Sequence, residues 1–256
     1  HPIPRRQRQM CIRDSKMINK SLIIIPTYNE SENIELIINK IINVDNSNDI
    51  LVVDDNSPDG TFNIVENLKD IHDKRVFLIK REKKSGLGSA YKAGFKWALD
   101  NNYSYIFEMD ADMSHDPNEI KNFKVELIQN KFDVVVGSRY LDGVSVVNWP
   151  LSRIFLSYFA NLYVRMITGM PIKDATSGFV GYNNKALGSL ELEEIKFNGY
   201  AFQIEMKFKL WKKNFKLKEH QIIFVNRKLG NSKMNQNIIL EAIFGVIKLK
   251  INSFFK

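Results

Sequence analysis

Cysteine is almost missing from this chain: its 256 residues include one, Cys11, so no internal disulfide framework can form and a reducing compartment fits. Also missing is an uninterrupted run of about eighteen apolar residues, the length a membrane-spanning helix needs, so no transmembrane span is expected. The first stretch, His1 to Asp14, carries Arg5, Arg6, Arg8 and Arg13 but lacks the apolar core of a secretion signal. Residues 1–16 are therefore set aside as a disordered or non-native leader, with a short basic arm as the functional alternative. No internal repeat or low-complexity linker divides the remainder. Acidic residues are the minority among the charges, 29 against 37 Lys and Arg, and the net charge of +8 fits an anionic partner. That partner could be nucleic acid, a membrane surface or a phosphorylated substrate.

What is present is a regular alternation. Ser21 to Pro26, Ile50 to Val53, Val76 to Ile79, Tyr105 to Phe107 and Asp133 to Val136 are short apolar runs and read as buried strands. Between the first two, Ile34, Ile37, Ile38, Ile41 and Ile42 recur at helical spacing, with Ser31 placed to cap them. Further helices are expected over Thr61 to Leu68, from Gly86-Leu87-Gly88 to about Leu99, and from Pro117 to Gln129. Strand–helix alternation implies a largely parallel α/β sheet with right-handed crossovers. Leu151 to Met170 is rich in apolar and aromatic residues but contains Arg153 and Arg165, which suits a helix lying on the body or on a membrane. A turn at Thr176 to Gly178 enters a strand ending at Tyr182; a helix over Tyr200 to Trp211 and a strand over Leu217 to Val225 follow. Residues 235–256 form a basic amphipathic helix, with Ile239, Ala242, Ile243, Val246 and Leu249 at helical spacing beside Lys248 and Lys250.

Three polar loops close successive apolar strands: Pro26 to Glu30, Asp54 to Gly60, and Asp110-Ala111-Asp112. In a parallel sheet all three emerge at one edge, where ligands of open α/β sheets bind. The carboxylates of Asp110 and Asp112 suit a hard divalent cation such as Mg²⁺ or Mn²⁺, which keeps open positions for a diphosphate. Asn, Asp, Gly and Pro are also plain turn formers, and for any single loop that is the simpler account. Gly86-Leu87-Gly88 has Tyr91 at the third glycine position of a dinucleotide fingerprint, which argues against NAD and leaves capping or an anion at the helix start. Arg139, Arg153, Arg227 and Lys233 are cations suited to phosphate oxygens, though each could equally be a surface charge. His115 is read as a hydrogen-bond partner without an assigned role, and Glu205 as pairing with a cation or facing solvent.

P-T-Y-N-E, V-D-D-N-S-P-D-G-T, G-L-G-S-A-Y, M-D-A-D-M-S-H, G-S-R-Y, T-S-G-F, G-Y-A-F-Q-I-E and F-V-N-R-K-L-G-N-S-K occur in the order seen in glycosyltransferase family 2. From Leu22 to about Lys250 the chain resembles the dolichol- or polyprenol-phosphate mannosyltransferases of that family. The resemblance implies a GT-A fold over 17–234, with a mostly parallel sheet flanked by helices; the amphipathic helix over 235–256 could pack on the body or rest on anionic lipid. It implies inverting, metal-dependent transfer of mannose from GDP-mannose to a polyprenyl phosphate, giving a β-linked product, with Mg²⁺ or Mn²⁺. The protein would be peripheral on the cytoplasmic face of a membrane, held by its own helices or by a small anchoring subunit.

Carried over by position, Pro26, Tyr28 and Glu30 line the base and ribose, with Val53 and Asp55 alongside. Asp110 and Asp112 hold metal and diphosphate, with the Ala111 backbone adjacent and Ser114 near the coordination shell. Arg227 and Lys233 close over the diphosphate, while Arg139, Arg153 and Ser157 meet the acceptor phosphate; Arg139 is counted with the donor site as well. The catalytic set is Asp110, Asp112, Arg139 and Arg153, and Asp174 is a candidate helper. Val180 stands where the family often has Arg, so one expected cation is absent. A phosphate monoester, its second pKa near about 6, is already anionic at neutral pH and needs no strong base. One rival keeps the fold and uses UDP-glucose or another acceptor. The other is a non-catalytic basic protein binding nucleic acid or membrane; the acidic loops would repel a polyanion, and no aromatic-interleaved basic cluster supports it.

Overall fold

The computed structural model describes residues 20–45, 47–72, 74–227 and 236–253, the side chains of 236–242 excepted. Lys233 and the leader lie outside the described residues.

The first strand, β1 (Ser21–Thr27), shows why the sheet forms. Its side chains alternate between two cores: Leu22 and Ile24 enter one, Ile23 and Ile25 the other. A strand buried on both faces belongs in the middle of a sheet covered by helices on each side. β2 (Asn48–Asp54) repeats the pattern, Leu51 and Val53 on one face and Ile50 and Val52 on the other. Between them α1 (Ile34–Val44) buries Ile34, Ile37, Ile38 and Ile41. Its cap is Asn33 rather than Ser31, whose backbone NH donates to Asp59 at 3.0 Å. Helix α2 (Thr61–Ile71), β3 (Val76–Lys80), α3 (Leu87–Asp100) and β4 (Tyr105–Glu108) complete the first half.

The helix expected from Pro117 starts later, as α4 (Glu119–Lys124), and widens into a π turn over Val125–Gln129. β5 (Val134–Ser138), β6 (Val146–Val147) and α5 (Leu151–Thr168) follow. Next come β7 (Val180–Asn183), α6 (Asn184–Gly188) and α7 (Tyr200–Lys212). β8 (Leu217–Gln221), β9 (Phe224–Val225) and α8 (Gln236–Asn252) end the described chain. The strand expected over Leu217 to Val225 is thus two. Buried Ile222 turns the chain away from the main sheet, and Phe224 and Val225 pair with β6 instead. That departure carries Asn226 and Arg227 over the carboxyl edge.

The main sheet runs β3-β2-β1-β4-β7-β5-β8. It is mostly parallel, but β7 lies antiparallel between β4 and β5, with Glu108 opposite Val180. Residues entering β7 therefore stand at the same edge as residues leaving its neighbours. A third cluster joins Val164 of α5, Ile204 and Phe208 of α7, and Val246 and Leu249 of α8. The C-terminal helix thus packs on the body along one stripe, while Phe244 and Ile251 remain exposed.

Candidate active site

A cavity of about 450 Å³ opens along the carboxyl edge. At one end Pro26, Tyr28, Asp55, Lys84 and Gly86 line it, and Asp110, Ala111, Asp112 and Ser114 stand at the end of β4. Arg139, Arg153, Asn226 and Arg227 line it farther along.

The acidic loop after β2 divides its labour. Asp54, fully buried, accepts from the hydroxyls of Thr27 (2.9 Å) and Ser57 (2.6 Å) and from the Ser57 NH (2.9 Å). Asp59 accepts from the Thr61 hydroxyl at 2.6 Å and from the NH groups of Ser31 and Thr61, both at 3.0 Å. Burial raises its pKa, but these hydrogen bonds outweigh it and hold the carboxyl at about 2. Both aspartates are therefore turn staples, as the simpler account of such loops requires. Of this loop's carboxylates only Asp55 lines the cavity; it pairs with Arg81 at 2.9 Å and accepts from the Ser85 NH at 3.1 Å. Opposite, the Lys84 ammonium stands 4.1 Å from the centre of the Tyr28 ring, an arrangement that presents an aromatic face and a cation to one end of the cavity. Glu30 lines the wall and is fixed by Asn33, whose amide donates at 3.0 Å. Val53 is not brought here: it is fully buried in the core and packs toward Gly94 of α3. Gly86 has φ +95°, and a Cβ on Gly88 would meet Phe202 at 2.7 Å, so these glycines serve backbone conformation and close packing.

Asp112 is 5% exposed and pairs with Arg227 at 2.7 Å. Its other oxygen accepts from the Ser114 NH at 3.1 Å. Asp110 is pushed up to about 7, first by burial and then by the negative charge of Asp112, with Arg227 offsetting part. The carboxylate pair is thus short of positive charge. Its oxygen-only donor set fits a hard divalent cation, whose remaining positions would be filled by phosphate oxygens and water. No group of three or more His, Cys, Asp or Glu side chains is gathered among the described residues. His115 is buried and its pKa falls to about 4, chiefly by burial. The neutral ring accepts the Asp110 NH at Nδ1 (3.3 Å) and stacks on Phe179, so it braces the carboxylate loop from behind.

The arginines differ. Arg139 is 6% exposed and bidentate to Asp174, with both contacts at 2.7 Å, and it donates to the Thr176 hydroxyl at 2.8 Å. Asp174 has no exposed surface; it is occupied by Arg139 and Asn161 and lies apart from the cavity lining, which leaves no oxygen for the helper role. Arg153 lies over Trp149 at 3.9 Å and donates to Asn226 at 3.0 Å. Burial lowers its pKa, and the charges of Arg139 and Arg227 add to that against Tyr200 and Asp112. Ser157, one turn farther along α5, is not among the lining residues. Glu205 pairs with Lys209 at 3.0 Å and accepts from the Lys196 and Phe197 NH groups.

Several lining residues escaped the reading of the sequence: Lys84, Asn198, Tyr200, Gln203, Phe224 and Asn226. They reach the edge from helix starts and from the β9 crossover, where no strand-end pattern marks them. Gly199 to Gln203 stood inside the G-Y-A-F-Q-I-E motif, and Phe224 and Asn226 inside F-V-N-R-K-L-G-N-S-K, the signals available.

A carboxylate pair at the carboxyl edge of a mixed α/β sheet, with Arg227 against it and Arg139 and Arg153 lining the same cavity, suits phosphorylated ligands. The chain belongs to glycosyl transferase family 2, whose pattern matches residues 22–190. It is 41% identical over 227 residues to polyprenol monophosphomannose synthase of Mycolicibacterium smegmatis, covering 89% of this chain and 85% of that protein. It is 39% identical over 227 residues to undecaprenyl-phosphate mannosyltransferase of Micrococcus luteus, covering 89% and 92%. Glucosyl-3-phosphoglycerate synthase from Mycobacterium tuberculosis shares the fold at TM-score 0.66 and 15% identity, over 94% of this chain and 81% of that one. A mannosyltransferase from Pyrobaculum calidifontis, solved with GDP-Man and Mn²⁺, does so at TM-score 0.59 and 15% identity, over 92% and 74%. These likenesses bear out the GT-A expectation.

Proposed function

We propose that this protein transfers mannose from GDP-mannose to a polyprenyl phosphate with inversion, by attack of a phosphate oxygen on the sugar's anomeric carbon. Its similarity at about 40% identity to two polyprenyl-phosphate mannosyltransferases supports the reaction. The observation that carries the reading is the linear order of the cleft. An aromatic and polar end over β1 and β2 is followed by the carboxylate pair after β4, and then by Arg153 beyond β5. Two phosphorylated substrates can lie end to end there.

Pro26, Tyr28, Glu30 and Asp55 hold the nucleoside. Asp110 and Asp112 would hold Mg²⁺ or Mn²⁺ with the donor diphosphate, with Ser114 beside them; the bound cation would neutralise charge on the departing diphosphate. Arg227 neutralises the same charge from the protein side. Arg153, half-buried on Trp149, orients the attacking phosphate, and Arg139 with Asp174 forms the rigid wall behind it. Position and charge supply the catalysis, because the attacking oxygen is already anionic. Purified protein given GDP-mannose, UDP-glucose and related donors, with a short polyprenyl phosphate and Mg²⁺ or Mn²⁺, should transfer mannose. Transfer from UDP-glucose alone would overturn the sugar assignment.

Membrane contact belongs to the same proposal. No described helix is long and apolar enough to cross a membrane. Yet α5, whose first turn sends Arg153 into the cleft, exposes Leu151, Phe155, Phe159 and Met166, and α8 beside it exposes Phe244 and Ile251. A lipid phosphate at Arg153 would leave its chain along this apolar face, at the level where amphipathic helices bind bilayers. The double variant Phe155→Asp/Phe159→Asp should lose most co-flotation with anionic vesicles. Undiminished flotation would remove this face of α5 from membrane contact.

A further inference from the structure

Lys207 of α7 has no exposed surface and takes no part in the chemistry described above. Its ammonium donates to the Ser177 carbonyl at 2.8 Å and to the carbonyl and side-chain oxygens of Gln203, both at 3.2 Å. The Gln203 amide in turn donates to the carboxylate of Glu108, which also accepts from the Tyr182 hydroxyl at 2.8 Å. Glu108, likewise fully buried, is the last residue of β4. Burying an ammonium and a carboxylate carries a desolvation cost that a well-packed apolar pair of the same size would avoid. Here the ammonium is spent on the backbone carbonyl of Ser177, a residue that lines the cavity, and holds it from the buried side.

The place of Ser177 follows from the sheet order. The nucleoside end stands over β2 and β1, the carboxylate pair over β4, and Arg139 and Arg153 over β5 and beyond. β7 lies between β4 and β5 and begins opposite Glu108, so Thr176, Ser177 and Gly178 are interposed between the two phosphate ends. On the reading given above, on which this inference rests, the transferred sugar occupies that interval. The segment is held from every side: Thr176 by Asn161 and Arg139, Ser177 by Lys207, and Phe179 by the His115 ring. Gly178 is the open position. A Cβ there would meet nothing nearer than Gln203 Nε2 at 3.8 Å, and its backbone lies outside the left-handed region. Alanine therefore suits the protein, and whatever it disturbs belongs to the ligand.

We propose that Lys207 is a positioning residue that sets the Ser177–Gly178 wall against the sugar as it passes from donor to acceptor, with Gly178 at its closest approach. The test compares wild type with Lys207→Met, Lys207→Met/Glu108→Gln and Gly178→Ala. Thermal melting, calorimetric affinity for GDP and for GDP-mannose with Mn²⁺, and kcat and KM are the readouts. Lys207→Met should lower kcat about 10- to 100-fold, the scale of a misplacement of about 1 Å, with GDP affinity unchanged. The double variant, free of both buried charges, should regain thermal stability without regaining kcat. Gly178→Ala should melt like wild type and bind GDP normally, yet bind GDP-mannose several-fold more weakly. Recovery of kcat in the double variant would overturn the proposal, because Lys207 would then only balance Glu108. Wild-type GDP-mannose affinity in Gly178→Ala would overturn it equally, and this arm remains readable if Lys207→Met does not fold. Absence of mannose transfer by the wild type, with normal GDP-mannose binding, would instead sink the proposed reaction and leave the wall's binding role standing.

Discussion

Asp112→Ala should lower metal-dependent transfer about 10²- to 10³-fold, the scale on which removing a charge-stabilising group acts in such sites. Asp112 is the one carboxylate of the pair that is both 5% exposed and already bonded on each oxygen, to Arg227 and to the Ser114 NH. It is therefore held in place before any ligand arrives, and little reorganisation accompanies cation binding. Loss of the side chain would leave Asp110 as the only carboxylate of the pair, one oxygen-donor group where a hard divalent cation would use two. The fold should survive, because Arg227 is partly exposed and can turn to water once Asp112 is gone. Turnover across a Mn²⁺ titration and a circular-dichroism melt separate the two effects. Unchanged turnover would remove Asp112 from the mechanism.

Arg227→Ala should act with opposite signs on two quantities. The 2.7 Å pair with Asp112 makes the guanidinium a competitor for the carboxylate that a cation would use. Without nucleotide, the variant should bind Mn²⁺ several-fold more tightly. With nucleotide sugar present, the same guanidinium is expected on the departing diphosphate. A charge-assisted hydrogen bond there is worth about 1.5 to 3 kcal/mol, so kcat should fall about 10- to 100-fold. Tighter metal binding with unaltered kcat would restrict Arg227 to guarding the empty carboxylate. A fall in both would mean that the pair with Asp112 serves to orient that carboxylate.

Particular residues show where reading the chain succeeded. The isoleucines of α1 declared their buried face, since a helix repeats about every 3.6 residues and Ile34, Ile37, Ile38 and Ile41 fall on it. Asp110 and Asp112 were legible because an apolar strand delivers them to an edge whose direction the alternation already sets. Asp54, Asp55 and Asp59 were not separable by type: two staple the turn and one faces the cavity, a division decided by which way each side chain leaves a compact loop. Val53 was carried to the site by position in a motif, whereas the two-residue period of β2 turns it into the core. Arg139 looked like a free cation until Asp174, 35 residues later, was brought against it.

The sequence by itself thus determined the family, the layered α/β architecture and the acidic strand end, because each is written in local period or in contiguous motifs. Tertiary structure alone decided the rest. It inserted antiparallel β7 between β4 and β5, turned β9 out of the sheet to bring Arg227 onto Asp112, and buried Lys207 behind Ser177. The physical reason is range. Hydrophobic period acts between neighbours along the chain. Charge matching and desolvation act between groups that meet only when distant segments close on one another.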